Sequence, residues 1–338
     1  MRVAILAHGK FPDRAKTAVG VLRYGDHDVV AVLDREAAGQ RVADFGLRAV
    51  PDAPIVESMD EVPECDALLI GIAPIGGGFD ESWRPDVRTA IERGCDVIAG
   101  LHYFLNDDEE FARLADDHGV ELRDVRRPPE DLTVAEGVTD GVAAEVVLTV
   151  GTDCSVGKMT ATMELVEAAR ERGVDAAAVP TGQTGVLIEG WGIAVDRVVS
   201  DFVNGAVERM VREAGDDHDL LVVEGQGSIV HPAYSAVTCG ILHGAMADRL
   251  VLCHDATRER IHGYEAFELP SVANYVDLYE SLATPVHETE VVAGTLNTRD
   301  LADDAAAREA VDAFGDAIGG PATDPVRFDA DDVLEAVL

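Results

Sequence analysis

The most informative part of the chain is the stretch Val146-Val147-Leu148-Thr149-Val150, followed by Gly151-Thr152-Asp153-Cys154-Ser155-Val156-Gly157-Lys158-Met159-Thr160. An apolar β-branched run, a polar loop bounded by glycines, and then apolar residues at helical spacing predict a strand, a loop and a helix. Backbone N–H groups at the start of such a helix attract anions, and Lys158 adds a full positive charge. The stretch therefore predicts a phosphate or pyrophosphate site formed by residues 151–160.

This loop departs from the usual P-loop in two ways. Five residues separate Gly151 from Gly157, where four are usual, and Met159 stands where a Ser or Thr usually holds Mg²⁺. Thr160 lies one position further along, about 100° around the helix. Glycine-rich turns between strand and helix also occur without ligands. We interpret the loop as an anion site, and nucleotide hydrolysis stays open.

Composition limits the classes of function. The 338 residues are 47% apolar, enough for two domains, and 64 acidic against 27 basic residues give a net charge of −37. Such a charge disfavours binding to nucleic acid or to anionic membranes. Because the Debye length falls to about 3 Å in molar salt, the charge also predicts a halophilic protein whose fold depends on screening.

The cysteines indicate a reducing compartment. The chain has five cysteines and no C-x-x-C pair, so neither structural zinc nor a disulfide framework is expected, and a cytoplasmic location fits. Cys154 could act as a nucleophile, but no His-Asn pattern accompanies it, so we interpret it as a packing residue of the loop. No uncharged apolar stretch is long enough to span a membrane.

The first half of the chain predicts a Rossmann-like parallel-sheet domain over residues 1–129. Apolar runs separated by helix-compatible stretches predict strands at 2–7, 28–33, 67–73 and 95–100. No G-x-G-x-x-G motif follows the first strand, so a dinucleotide role is not expected. The glycine-rich segment 71–78 is a plausible wall of a cleft.

The second half predicts a P-loop NTPase-like α/β domain over residues 145–338, after a connector at 130–144. The helix that follows the phosphate loop should end near Arg172, before Gly173. Further strands are predicted at 176–180, 219–223, 249–253, 290–295 and 325–328. The fold class is therefore α/β, with a Rossmann-like domain followed by a P-loop domain.

Two polar groups follow the strand at 219–223. Glu224 ends this apolar strand and is followed by Gly225-Gln226-Gly227-Ser228, the position from which an acid faces the phosphate loop in P-loop proteins. The alternative is an acid that only caps a turn. His231, a few residues further on, is either a titratable base or a structural histidine.

The motifs resemble two known families. The loop together with Val223-Glu224-Gly225 resembles dethiobiotin synthetase. A longer set resembles the uncharacterised-domain family that includes the D-glutamate N-acetyltransferases of the DgcN type, and it covers nearly the whole chain. The set is Gly71-Ile-Ala-Pro-Ile-Gly-Gly77, Ala99-Gly-Leu-His102, Pro180-Thr-Gly-Gln-Thr-Gly185, Gly190-Trp-Gly-Ile-Ala-Val-Asp-Arg197 and Glu224-Gly-Gln-Gly-Ser228.

The second resemblance implies transfer of an acetyl group from acetyl-CoA to the amine of a D-amino acid such as D-glutamate. Acetyl-CoA would be held by residues 151–160 and Asn297, without a metal, because phosphates need N–H donors and Lys158 but no Mg²⁺. The implied partners are small molecules and further copies of the chain in a homo-oligomer.

Acetyl transfer to an amine needs a base, cations for the acceptor and donors for the oxyanion. Candidate bases are Glu224 and His231, with Asp196 and Asp201 as second choices. The N–H groups of residues 225–227 are candidate oxyanion donors. Candidate acceptor-binding residues are Arg197, Lys10, Arg84 and Gln183, although ion pairing at the surface is the competing interpretation of Arg84.

Two other functions fit parts of the sequence. One is an ATP- and Mg²⁺-dependent ligase or kinase resembling dethiobiotin synthetase, with Thr160 and Glu224 around the metal. The other is a nucleotide-sensing module without catalysis. The three hypotheses differ in whether they require Mg²⁺, nucleotide turnover or CoA release.

Overall fold

The chain forms two compact units. The computed structural model describes residues 1–72, 74 and 77–338. One unit contains Met1–Pro128 with Val186–Arg197, and the other contains Pro129–Gly185 with Val198–Leu338. The sequence placed residues 186–197 in the P-loop domain, whereas the structure groups them with the first unit. The reason is local, since the Arg123 guanidinium donates to the Gly190 carbonyl at 2.8 Å.

The first unit contains a six-stranded parallel sheet with the strand order β3-β2-β1-β4-β5-β6. Its elements are β1 (Arg2–Leu6), α1 (Lys16–Tyr24), β2 (Asp28–Leu33), β3 (Ile55–Val56), β4 (Ala67–Ile70), α2 (Arg84–Glu92), β5 (Asp96–Ala99), α3 (Glu109–His118) and β6 (Leu122–Asp124). β1, β4 and the inner part of β2 are buried, as expected for parallel strands covered on both faces.

The loop after β1 is already occupied by a carboxylate. Asp34, which is 1% exposed, accepts the N–H groups of Gly9 at 2.9 Å and Phe11 at 3.0 Å. In dinucleotide-binding Rossmann domains these N–H groups face the pyrophosphate. The Asp34 carboxylate accepts these N–H groups here, and the absence of a dinucleotide site stays an expectation.

The second unit contains another six-stranded parallel sheet, with the order β14-β13-β10-β7-β9-β8, and a separate antiparallel hairpin of β11 and β12. Its strands are β7 (Glu145–Gly151), β8 (Ala176–Val179), β9 (Leu220–Val223), β10 (Arg249–Asp255), β11 (Arg260–Ile261), β12 (Tyr264–Glu268), β13 (Glu290–Asn297) and β14 (Ala322–Thr323). Its helices are α4 (Lys158–Glu171), α5 (Gln183–Glu189, which continues into the first unit), α6 (Val203–Gly215), α7 (Ser235–Ala245), α8 (Val272–Ala283), α9 (Asp304–Ile318) and α10 (Asp331–Val337).

One predicted strand is wrong. Residues 325–328 form a turn, and the last strand is β14, a few residues earlier. Asp324 causes the turn, because its carboxylate accepts the N–H groups of Val326 at 3.1 Å and Arg327 at 3.2 Å. An Asx turn of this kind competes with strand pairing.

The parallel arrangement brings the loops after the strands of the second unit to one edge. β7 lies between β10 and β9, so the phosphate loop is flanked by the segments that follow Asp255 and Val223. Ligands of open α/β sheets bind at this edge. None of the helices in the described part of the chain has the length and hydropathy that a bilayer-spanning helix needs.

Candidate functional site

The phosphate loop has the predicted strand, loop and helix geometry. β7 ends at Gly151, α4 begins at Lys158, and Gly157 adopts φ +108°, a conformation that favours glycine. Lys158 is 7% exposed and its Nζ donates to the Asp153 carbonyl at 2.8 Å. A Cβ on Gly151 would lie 2.7 Å from this Nζ, so a larger residue there would displace the lysine amine.

Neighbouring strands hold the base of the loop. The Thr152 N–H donates to the Cys253 carbonyl at 3.0 Å, and the Thr152 hydroxyl contacts His254 Nδ1 at 2.7 Å. On the other side, the Ser228 hydroxyl donates to the Thr152 carbonyl at 3.0 Å. The loop therefore starts from a fixed position between β10 and the segment after β9.

Asp153 points into the protein rather than toward solvent. Its side chain is fully buried, and its Oδ2 accepts from Arg258 Nη1 at 2.9 Å and from the His262 N–H at 2.7 Å. Its Oδ1 accepts the Cys154 N–H at 2.7 Å. Asp153 stays a predicted cofactor-binding residue, and its carboxylate joins the β11–β12 hairpin to the loop. Arg258 carries no motif in the sequence that would mark it as a partner of Asp153.

Residues 155–160 form the helix side of the loop. Val156 is 1% exposed and packs with Ala161 and Cys253, whereas Ser155, at φ +57°, is exposed. The first N–H groups of an α-helix have no partner within the helix. Met159 and Thr160 follow Lys158 and are both half-buried.

Glu224 lies at the end of β9 and is enclosed by the segment after β8. It is 4% exposed, and its Oε2 accepts the Gly182 N–H at 3.1 Å. A Cβ on Gly185 would lie 2.5 Å from Oε2, so larger residues do not fit there. The Thr181 hydroxyl donates to the Glu224 carbonyl. These contacts explain the Pro180–Gly185 motif in physical terms, because its residues enclose the Glu224 carboxylate.

The hydrogen bonds of His231 define its tautomer. The Ala233 N–H donates to His231 Nδ1 at 3.1 Å, so in the neutral ring the proton sits on Nε2. His231 is 1% exposed, and burial lowers its pKa. Among the described residues Nε2 has no hydrogen-bond partner, the Asp153 carboxylate being 3.9 Å away. A neutral ring that carries its proton at Nε2 is a donor there, which weakens His231 as the base.

The same tautomer argues against a metal at the loop. Within the described residues, Asp153, Cys154 and His231 each offer one ligand atom, and these atoms lie within 4.8 Å of one another. A ligand histidine needs a lone pair on the coordinating nitrogen and usually donates its other N–H. Nε2 carries the proton, and the lone pair of Nδ1 already accepts a hydrogen bond from the Ala233 N–H. With the ring in this tautomer, the three side chains do not suit a cation.

The other residues predicted for the second unit lie at the same edge or near it. Gln183 begins α5 and is 9% exposed. Asn297 ends β13, and its Nδ2 donates to the Asp255 carboxylate at 3.2 Å. Asp201 is exposed and lies just before α6. Gln183 lies within the Pro180–Gly185 segment that encloses Glu224, and Asn297 is the last residue of β13, the strand next to β10.

Four of the predicted residues lie in the first unit. Asp196 pairs with Arg126, whose pKa is lowered to about 10 by burial, and lies 3.6 Å from His102 Nε2. Arg197 stacks on the Phe104 ring at 4.9 Å. The backbone N–H of Lys10 donates to Asp34 at 3.3 Å. Asp196 is thus an ion-pair partner of a buried arginine.

Arg84, the fourth residue, is held by ion pairs. Its guanidinium contacts Glu81 at 3.0 Å, Asp108 at 2.9 Å and Glu110 at 3.0 Å, and it stacks on the Phe111 ring at 4.5 Å. The hydrogen bonds to Glu81 and Asp108 raise its pKa. These contacts explain Arg84 as a packing residue of the first unit.

The predicted cleft wall at 71–78 is described only in part. Residues 73, 75 and 76 lie outside the described residues. The His102 N–H donates to the Gly77 carbonyl at 3.0 Å, and a Cβ on Gly77 would lie 2.1 Å from the His102 ring. The close approach of His102 therefore requires a glycine at position 77.

Family models and a solved structure match this chain to the same protein family. Residues 35–128 match a Rossmann-like domain of unknown function, DUF1611_N, and residues 133–334 match the P-loop domain of unknown function, DUF1611_C. A crystal structure of a DUF1611 family protein from Anabaena variabilis is 39% identical, with a TM-score of 0.94 over 99% of this chain and 98% of that chain.

Two relatives carry a functional name. A protein named D-glutamate N-acetyltransferase from Tritonibacter scottomollicae is 34% identical over 339 residues, which is 98% of this chain and 97% of the relative. A protein of the same name from Pseudoalteromonas sp is 34% identical over 268 residues, 79% of this chain and 80% of the relative.

Proposed function

This chain belongs to the DUF1611 family, and on that premise we propose that it is an N-acetyltransferase that moves an acetyl group from acetyl-CoA to the amine of D-glutamate. The observation that carries the proposal is the 34% identity to a relative of that name over 97% of the relative's length. This alignment includes both domains, so the likeness is not limited to a common P-loop fold.

The phosphate loop supports acetyl-CoA as the donor. Lys158 and the start of α4 provide positive potential for a diphosphate, while Met159 replaces the hydroxyl that holds Mg²⁺ in nucleotide-hydrolysing P-loops. CoA carries a diphosphate that has to be bound and not cleaved. The missing hydroxyl therefore fits a CoA site better than an ATPase site.

Glu224 is the base that we propose for the transfer. The acceptor α-ammonium group gives one proton to the Glu224 carboxylate, and the amine nitrogen then attacks the thioester carbon. As the C–S bond breaks, the nitrogen loses its second proton, which passes to the sulfur, so that CoA leaves as its thiol. Glu224 is buried and held by the Gly182 N–H, which gives it a defined position one strand from the phosphate loop. The Nε2–H tautomer makes His231 a donor, and Asp196 is paired with Arg126.

The acceptor carboxylates need cations. We retain Arg197, Lys10 and Gln183 as proposed contacts, and we omit Arg84 because three carboxylates already surround it. The Gly225 N–H already donates to the Thr149 hydroxyl at 3.2 Å, so the N–H groups of Gln226 and Gly227 stay the proposed oxyanion donors.

A coupled assay tests the function directly. Free thiol is followed with a disulfide reagent in molar KCl and EDTA, with acetyl-CoA and either D-glutamate or L-glutamate as the acceptor. We expect thiol release that requires D-glutamate and survives EDTA. ATP cleavage that EDTA abolishes, without CoA release, would replace this proposal with a ligase or kinase. Tight nucleotide binding without any turnover would identify a sensing module.

A further inference from the structure

The β11–β12 hairpin, residues 256–268, is attached to the phosphate loop through one carboxylate. Arg258 Nη1 and the His262 N–H both donate to Asp153 Oδ2, at 2.9 and 2.7 Å. Ile261 is buried at 3% exposure, so the first strand of the hairpin also packs against the unit. The position of the hairpin is therefore linked to the position of the loop.

The outer strand of the hairpin is unusually open. All five residues of β12 are exposed, including Tyr264 at 40% and Phe267 at 52%. Two-stranded hairpins are marginally stable unless they pack against something. Tyr264 also meets the buried His231 ring edge-on, with the centroids 5.2 Å apart. The hairpin thus presents exposed aromatic rings directly beside the phosphate loop.

The hairpin also carries two guanidinium groups among its acids. An open depression of about 290 Å³ is lined by residues 257–262 and Glu265, which include two arginines and two glutamates. Arg260 is held by the Glu265 carbonyl and the Glu268 carboxylate, both at 2.8 Å, while 49% of its side chain stays exposed. A guanidinium has five N–H donors, so these two bonds leave donors for a ligand.

We infer that the hairpin binds the adenosine 3′-phosphate end of the acyl-CoA donor, with Arg260 at the 3′-phosphate and Tyr264 against the adenine ring. This inference rests on the proposed function. With the diphosphate in the phosphate loop, the ribose and its 3′-phosphate lie within one sugar ring of that loop, where the hairpin is anchored. The 3′-phosphate is the group that distinguishes CoA from ADP and ATP, so a cation there selects CoA.

The matched ligands for the test are CoA and dephospho-CoA, which differ only in the 3′-phosphate. Calorimetry on the full chain in molar KCl should show CoA binding about tenfold or more tighter, the size expected for a charge-assisted hydrogen bond. Arg260→Gln should lower the affinity for CoA to that for dephospho-CoA and leave dephospho-CoA unchanged. Arg249→Gln is the control, because Arg249 is similarly exposed, at 46%, and lies at the amino end of β10.

Two results would overturn the inference while the proposed function stands. The first is equal affinity of the wild-type chain for CoA and dephospho-CoA. The second is an equal loss of affinity for both ligands in Arg260→Gln. In both cases the wild-type chain still acetylates D-glutamate. Absence of acetyl transfer by the wild-type chain would overturn the proposed function, whichever ligand binds more tightly. Failure of both ligands to bind would overturn both.

Discussion

The Lys158 amine donates to a carbonyl of its own loop, and a phosphate oxygen of a ligand could take the place of that carbonyl. Its Nζ donates to the Asp153 carbonyl at 2.8 Å and is largely shielded from water. A phosphate oxygen at this place would exchange a neutral acceptor for a charged one, which forms the stronger hydrogen bond.

Removal of this amine should therefore weaken donor binding. We expect Lys158→Ala to reduce the affinity for acetyl-CoA by about 1.5–3 kcal/mol, measured by calorimetry in EDTA and molar KCl. Lys16→Ala removes a lysine at the start of α1 in the first unit and should leave the affinity unchanged. Unaltered binding in Lys158→Ala would rule out the phosphate loop as the donor site.

Glu224 should affect the rate and not donor binding. General-base loss costs about 10²–10⁴ in rate, so Glu224→Gln should lower kcat by that factor while the Kd for CoA stays within about twofold. Glu208→Gln is the matched control, because Glu208 is also buried, at 5%, but accepts backbone N–H groups of residues 136–138. A Glu224→Gln enzyme with near-native kcat would make Asp201 and Asp196 the next bases to test.

His231, which is buried, and His254, which is half-buried, should make stability depend on pH. Burial lowers the pKa values of His231 and His254 below the ordinary value of 6.5. Between the lowered and the ordinary value the unfolded chain binds more protons, so the free energy of unfolding should fall as the pH falls below 6.5. Melting curves at pH 7.5 and 5.5 measure the effect, and His231→Gln should reduce it. An equal slope in the variant would show that His231 does not contribute.

At the scale of elements, the segment after β8 encloses the proposed base. A Cβ on Gly185 would lie 2.5 Å from Glu224 Oε2 and 2.8 Å from the Pro180 Cβ, so Gly185→Ala must displace the carboxylate. We expect a large loss of kcat with CoA binding retained. The control is Gly141→Ala in the same unit, where no heavy atom lies within 4 Å of the new Cβ. Native kcat in Gly185→Ala would show that the position of Glu224 is not critical.

The elements also show what the sequence could predict. Long apolar runs such as β7, β9 and β10 were predicted because buried parallel strands leave a continuous hydrophobic signal. The hairpin of β11 and β12 was not predicted, because β12 is exposed on both faces and has no continuous apolar run. Arg258 was missed because its partner Asp153 lies 105 positions away, and only the pairing of β7 with β10 brings them together.

At the scale of the whole molecule, the net charge of −37 has to be compensated by the solution. Unscreened repulsion between exposed acids opposes the compact state, so dilution from molar KCl to millimolar salt should unfold the chain, as followed by circular dichroism. Sucrose at the same osmolality should not replace KCl, because it screens no charge. An unchanged melting temperature in dilute buffer would contradict the halophilic prediction.

The grouping of residues 186–197 with the first unit means that the chain passes from one unit to the other three times, after Pro128, Gly185 and Arg197. The returning segment contains Ile193, Ala194 and Val195, all buried, and Asp196, which pairs with Arg126. A fragment that begins at residue 129 keeps this segment but lacks Met1–Pro128, the rest of the unit to which the segment belongs, including Arg126. A single cut in the gene therefore cannot separate the coding sequences of the two units.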